Sequence, residues 1–164
     1  RFTTLNDITI SPSPIQKPRV PIWVAGRKDV AMKRVAKYGD GWMPYMYTPD
    51  MLADSMSKIA DYSVEAGRPA DAVQGGLYIF TCVHESRDRA LEMANEQLSK
   101  QYNQDFTKLV SKYTISGSPD DCIEQINSYR QAGAETVIFA QGCPPDYVEA
   151  NTRLIGEAIL PAFA

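Results

Sequence analysis

The chain has 164 residues, 44% hydrophobic and 23% charged, a composition that suits one globular domain with a sizeable core. Its net charge of −3, with no basic cluster beyond a pair, argues against a nucleic-acid surface, and no apolar run approaches the roughly 18 residues that span a bilayer. Cys82, Cys122 and Cys143 are widely spaced with no CxxC pair, so they read as reduced thiols in a cytoplasmic protein, neither a disulfide frame nor a zinc site. The chain opens on Arg1, not Met, which reads as a processed or excised piece.

Residues 2 to 10 alternate loosely around Asn6-Asp7, with Phe2 and Leu5 before and Ile8 and Ile10 after, and this predicts a β-hairpin. Four prolines between Ser11 and Pro21 predict an extended linker. Residues 1–20 are therefore a lead-in, and residues 21–164 a single domain. That domain starts with Pro21-Ile22-Trp23-Val24-Ala25-Gly26-Arg27, a run of β-formers that stops on a glycine and turns directly into a helix from about Asp29 to Tyr38. Gly26 lets backbone approach closely, the helix start offers free N–H groups and a positive dipole end, and Arg27 and Lys28 add two cations. A phosphate fits such a turn, although many strand-to-helix turns carry a glycine for steric reasons alone.

Gly41 to Tyr45 reads as a second short strand. Thr48-Pro49-Asp50 then opens a helix with an N-cap, a proline at the first helical position and an acid beside the dipole; Leu52, Met56, Ile59 and Ser63 line one face and Gly67 ends it. Gly76 to Val83 is the longest strand. Ser86 caps the next helix, with Leu91, Ala94, Leu98 and Tyr102 as its stripe. Residues 104 to 117 read as helical and then irregular. Ser118-Pro119-Asp120-Asp121 repeats the capping pattern before a helix that ends at Gly133. Thr136 to Ala140 is the fourth buried strand, and Pro145 opens a last helix that runs to Pro161.

Strand and helix alternate four times, which implies an α/β fold with a parallel sheet. Four such units make a small open sheet, or half of an eight-stranded (β/α) barrel. In both, ligands bind beyond the carboxyl ends of the strands, here Gly26-Arg27, Tyr45-Met46-Tyr47, His84-Glu85 and Gln141-Gly142-Cys143.

The run IQKPRVPIWVAGRKDVAMKRVAKYGDGWMPYMYTPDML resembles the bacterial luciferase-like family of flavin- or deazaflavin-dependent oxidoreductases. It has the Pro-rich lead-in to PIWVAG, the amphipathic helix, GDGW a fixed step later and a TP-capped helix behind. The later ISGSPDDCIEQINSYRQAGAETVIF is similar to that family's closing segment. The resemblance implies a TIM-barrel fold of which this chain is the second half, the last four strand-helix units, with the hairpin corresponding to an insertion before the fifth barrel strand. It also implies an FMN or deazaflavin cofactor, with NAD(P)H as a candidate reductant, and a small-molecule substrate. The phosphate side of the cofactor would lie in this half. On that basis Ala25, Gly26 and Arg27 are nominated at the first strand end, and Gly41 and Trp42 around the second.

Other residues carry weaker signals. Trp42 in a short buried strand reads as core as readily as a stacking partner. Asp40, between two glycines, ties a turn and is assigned no chemistry. His84, the only histidine, is a proton shuttle or a backbone partner; Tyr45 and Tyr47 line a substrate mouth or form a rim; Cys143 lacks a base nearby in sequence. There are no paired carboxylates, Walker loop, GxGxxG or metal-ligand spacing, so no catalytic or metal residue is nominated. The cofactor would carry the hard chemistry. A half-barrel leaves two sheet edges and an apolar inner face uncovered, so the expected partner is a second copy or the complementary half-barrel. The competing reading is a half-barrel fragment or partner-binding subunit that keeps the fold without the cofactor.

Overall fold

In the computed structural model, residues 3–9 and 11–164 are described. Residues 3–9 and 11–22 form neither strand nor helix, so the expected hairpin is absent from them; Phe2 and Ile10 lie outside the described residues. The physical reason is that the loose alternation covers nothing. Residues 3–9 are exposed, Leu5 and Ile8 included, and two strands without a buried face do not hold together. Among the described residues, the linker's side-chain hydrogen bonds lie at its far end. There the Arg19 guanidinium pairs with the Asp40 carboxylate, which also accepts the Ile22 N–H at 2.7 Å. The guanidinium first, and the backbone bond second, hold the Asp40 carboxyl below the usual carboxylate range. Asp40 ties a turn, as its place between glycines implies.

Among the described residues, five parallel strands make one sheet: β1 (Trp23–Val24), β2 (Gly41–Trp42), β3 (Gln74–Val83), β4 (Thr114–Gly117) and β5 (Thr136–Gln141). β3 is the central strand. Along one edge it meets β2 at Gln74 and Gly75, then Tyr45 at Tyr78, then β4 from Phe80 to Val83; along the other it meets β5 from Gly76 to Thr81. Phe80 and Thr81 pair with both β4 and β5, which places those two strands on opposite edges. β4 is the strand that periodicity does not announce. Its four residues are too few to show an alternation, and they lie in the stretch read as irregular.

The helices are α1 (Asp29–Tyr38), α2 (Pro49–Glu65), α3 (Arg87–Tyr102), α4 (Val110–Tyr113), α5 (Pro119–Gln131) and α6 (Val148–Leu154), the last continuing as a wider turn over Ile155–Ile159. The caps read from sequence are in place: Thr48, Ser86 and Ser118 accept from the N–H groups of Met51, Arg89 and Asp121, and Ser118 with Asp121 completes a capping box. Arg68, just past α2, donates to the carbonyls of Val35 and Ala36 and so satisfies the end of α1.

Alternation along β3 divides the core in two. Leu77, Ile79 and Val83 point to one face and pack with Met32, Val35, Leu52, Ile59, Ile126 and Ile159 from the helices. Phe80 and Cys82 point to the other face and pack with Ala90, Met93, Ala94, Leu98, Phe106 and Val110. α3 is therefore no crossover on the helical side of the sheet. It folds with α4 over the opposite, inner face, covering only the carboxyl ends of the strands, and α5 makes the connection to β5. The rest of that inner face is bare: Trp23, Tyr45, Tyr78 and Ile138 are each more than a third exposed.

Candidate functional site

The turn from β1 into α1 requires its glycine. Gly26 has φ +122°, and a Cβ there would lie 2.8 Å from the Ala31 Cβ. Lys28 precedes α1 without any side chain bonding to the helix start, whereas α2, α3 and α5 all have side-chain caps. Among the described residues no side chain accepts from the first amides of α1, and beyond Val30 the Lys28 carbonyl takes the Ala31 N–H at 2.8 Å. Arg27 is exposed at this point, its guanidinium 5.5 Å from the centroid of the Tyr45 ring, and Lys28 is exposed beside it. Ala25, Gly26 and Arg27 are accordingly brought together at one strand end, and Ala25 opens onto the inner face of the sheet.

That face holds an apolar concavity of about 360 Å³ lined by Trp23, Val24, Ala25, Met43, Tyr45 and Tyr78. Two glycines make room for its Trp23 wall. The Trp23 indole lies across the backbone of β2 and β3, so close that a Cβ at Gly41 would sit 2.5 Å from its Cδ2, and one at Gly76 would sit 2.6 Å from its Cζ3. Gly41 therefore serves the site by making room for Trp23. Trp42 faces the other way. It is fully buried in the helical-side core, edge-on to Tyr47 at 5.5 Å, and its indole N–H donates to the Gly26 carbonyl at 2.9 Å. Its ring does not reach the concavity, so the core alternative is what the structure shows for Trp42. The register explains the exchange of roles: Trp23 pairs with Gly41 and Val24 with Trp42, and paired residues share a face.

Sequence reasoning missed Trp23, Met43, Gly76 and Tyr78. An aromatic at Tyr78 out of phase with Leu77 and Ile79, and a glycine on each of two neighbouring strands, are the signals that could have found them. Met46 has φ +50°, and beyond that kink Tyr47 is buried, its hydroxyl near the Ser55 Oγ at 3.3 Å and its carbonyl accepting from the Tyr129 hydroxyl at 2.6 Å. Tyr45 lines the concavity and Tyr47 belongs to the core. The His84 Nδ1 accepts from the Ser86 N–H at 2.9 Å and its ring lies 5.8 Å from that of Tyr147, so the histidine is held as a backbone partner.

Cys143 and Cys82 are both fully buried in the inner core. The neighbouring Cys143 sulfur first, and burial second, push the Cys82 thiol up, and the neighbouring Cys82 draws Cys143 down. Among the described residues, no group of three or more His, Cys, Asp and Glu side chains could hold a metal, and no helix is long and apolar enough to cross a membrane.

The luciferase-like monooxygenase family profile matches residues 1–136. The F420-dependent glucose-6-phosphate dehydrogenase of Microbacterium testaceum is 26% identical, over 98% of this chain and 53% of its own length. An F420-dependent secondary alcohol dehydrogenase, solved with an F420-acetone adduct, superposes with a TM-score of 0.83 at 18% identity, over 99% of this chain and 54% of that one. The oxygenating constituent of 3,6-diketocamphane monooxygenase from Pseudomonas putida, solved with FMN, superposes with a TM-score of 0.64 at 16% identity, over 85% of this chain and 47% of that one. The chain spans about half the length of the curated relatives it matches. The strand-to-helix turn at Gly26, the parallel α/β sheet behind it and a profile match over most of the sequence agree: the chain belongs to the luciferase-like monooxygenase family.

Proposed function

We propose that this chain supplies the cofactor-phosphate side of an oxidoreductase or monooxygenase that uses F420 or FMN. The observation that carries this reading is the turn at Ala25-Gly26-Arg27, where unclaimed helix amides and an exposed guanidinium border an apolar concavity. Relatives and structural neighbours act with F420 or were solved with FMN, and both cofactors join a planar ring to a phosphate. When bound, such a cofactor supplies hydride transfer or, for a flavin, reaction with oxygen. The chain's own residues bind and shield. The Arg27 guanidinium and the first amides of α1 hold the phosphate; Trp23, Met43, Tyr45 and Tyr78 offer the ring an apolar wall and keep water from it.

The wall on the far side has to come from elsewhere. Among the described residues β1 and β5 pair on one edge only, and the inner face between them exposes Trp23, Tyr45, Tyr78 and Ile138. Beside β5, a groove of about 580 Å³ between α5 and the carboxyl-terminal turns is lined by Ile126, Arg130, Val137, Phe139, Leu160 and Phe163. A strand along β5 with its helix in that groove is what a complementary half-barrel would bring, and the half-length match to relatives supports it over a second copy.

The test is a titration of the chain with FMN and with F420, followed by absorbance and tryptophan quenching. Saturable binding that weakens about tenfold in Arg27→Ala, the loss of one charge-assisted bond, is expected. Absence of binding by both cofactors, or affinity untouched by Arg27→Ala, would sink the assignment and favour the half-barrel without a cofactor.

A further inference from the structure

In a trans peptide the carbonyl and the following N–H point in opposite directions. The carbonyl of Gly26 points into the core, because the Trp42 indole N–H takes it at 2.9 Å from a fully buried position. The N–H of the same peptide belongs to Arg27, and it is therefore turned outward, away from the helical-side core. Neither backbone nor side chain accepts it among the described residues. Gly26 itself, at φ +122°, has no side chain to lock its conformation, so the peptide is free to rotate unless something holds the carbonyl. Trp42 is well placed to hold it. Tyr47 packs edge-on against the indole at 5.5 Å, and the Tyr47 carbonyl is fixed in turn by the Tyr129 hydroxyl of α5 at 2.6 Å.

We propose that Trp42 is a positioning residue: its indole N–H holds the Gly26 carbonyl and so aims the Arg27 amide at the phosphate of the bound cofactor. The inference rests on the phosphate-side reading above. It also accounts for the coupling of two sequence runs, since the tryptophan of GDGW reaches the glycine of PIWVAG across one strand. Trp42 acts without touching the ligand, and a phenylalanine there keeps the ring while removing the one N–H the argument needs.

The experiment compares Trp42→Phe with the unaltered chain, using whichever of FMN and F420 the chain binds and, in parallel, the same chromophore without its phosphate (riboflavin in the case of FMN). The expected result is a fall of about tenfold in affinity for the phosphorylated cofactor, the size of one directed hydrogen bond, with affinity for the phosphate-free chromophore unchanged. Equal losses for both ligands, or none, overturn the proposal, because a structural role does not distinguish them. If the unaltered chain binds both ligands equally, or binds neither, the phosphate-side reading fails and the role of Trp42 with it. Should Trp42→Phe not fold, the amide spectrum of the unaltered chain decides: the Arg27 N–H and the Trp42 indole N–H shift together on adding the cofactor, and an unmoved Arg27 amide refutes the idea.

Discussion

Asn151 offers a sharp test of how the carboxyl end of β3 is held. β5 pairs with β3 only as far as Thr81, and Gly142 then turns away, leaving the last residues of β3 without a strand on that edge. The Asn151 side chain, reaching across from α6 and 4% exposed, replaces the missing ladder. Its Oδ1 accepts the Val83 N–H at 2.7 Å and its Nδ2 donates to the Thr81 carbonyl at 3.3 Å. Asn151→Ala leaves a buried amide with no acceptor, a loss of about 1–3 kcal/mol, while the longer second bond adds little. For a chain of this length each kcal/mol lowers Tm by roughly 2–4 °C, so a fall of roughly 2–12 °C is expected. Thermal unfolding followed by circular dichroism reads it directly, with Thr152→Ala on the exposed side of α6 as the comparison. A Tm within about 1 °C of the unaltered chain, below the scale of any buried orphan amide, would refute the reasoning.

Gly76→Ala should push the Trp23 indole off the sheet, since the new methyl would fall within 3 Å of both Trp23 Cζ3 and Met43 Cε. A destabilisation of about 1–3 kcal/mol is expected, with a red-shifted tryptophan emission because only Trp23 can move into water; unchanged emission would show that the indole does not lie where the concavity requires it. The Arg19–Asp40 pair predicts a pH dependence. The folded Asp40 carboxyl titrates below its unfolded value, so its stabilisation is complete above the unfolded value of about 3.9 and is lost as pH falls through the folded one. Arg19→Ala should therefore lower stability only slightly at neutral pH, the pair being largely solvated, and not at all in strong acid. Urea unfolding at both conditions checks it, and a difference that grows in acid would reverse the sign argued here.

Local signals in the sequence were dependable where they depend on near neighbours. Thr48-Pro49, Ser86 and Ser118-Pro119 with Asp121 start helices because the cap is chemistry within one turn, and the apolar run ending at Val83 is a strand because it is long. What stayed hidden depends on the opposite side of something. The stripe Leu91, Ala94 and Leu98 says that α3 buries a face, and says nothing of which face of the sheet it covers. Trp23 and Trp42 lie on two-residue strands, too short to set a phase, so only the register Trp23 with Gly41 reveals which tryptophan faces the site. The turn at Gly26 was legible because glycine, cation and helix start are consecutive; the bond from Trp42 to it spans sixteen residues and is visible only in three dimensions.

The excursion that carries α3, α4 and β4 leaves β3 and returns to it at the same place, for the His84 N–H donates to the Gly117 carbonyl at 3.0 Å. Such a segment is a closed detour whose two ends meet, laid back on β3 through β4 and the inner core. Where it faces away from β3, its length and sequence can vary at little cost in loop closure, much as long surface loops vary while their scaffold stays put. Diversification of what lies over the mouth of the sheet is thereby separated from the turn at Gly26, and one scaffold can acquire a new roof while that turn is inherited intact.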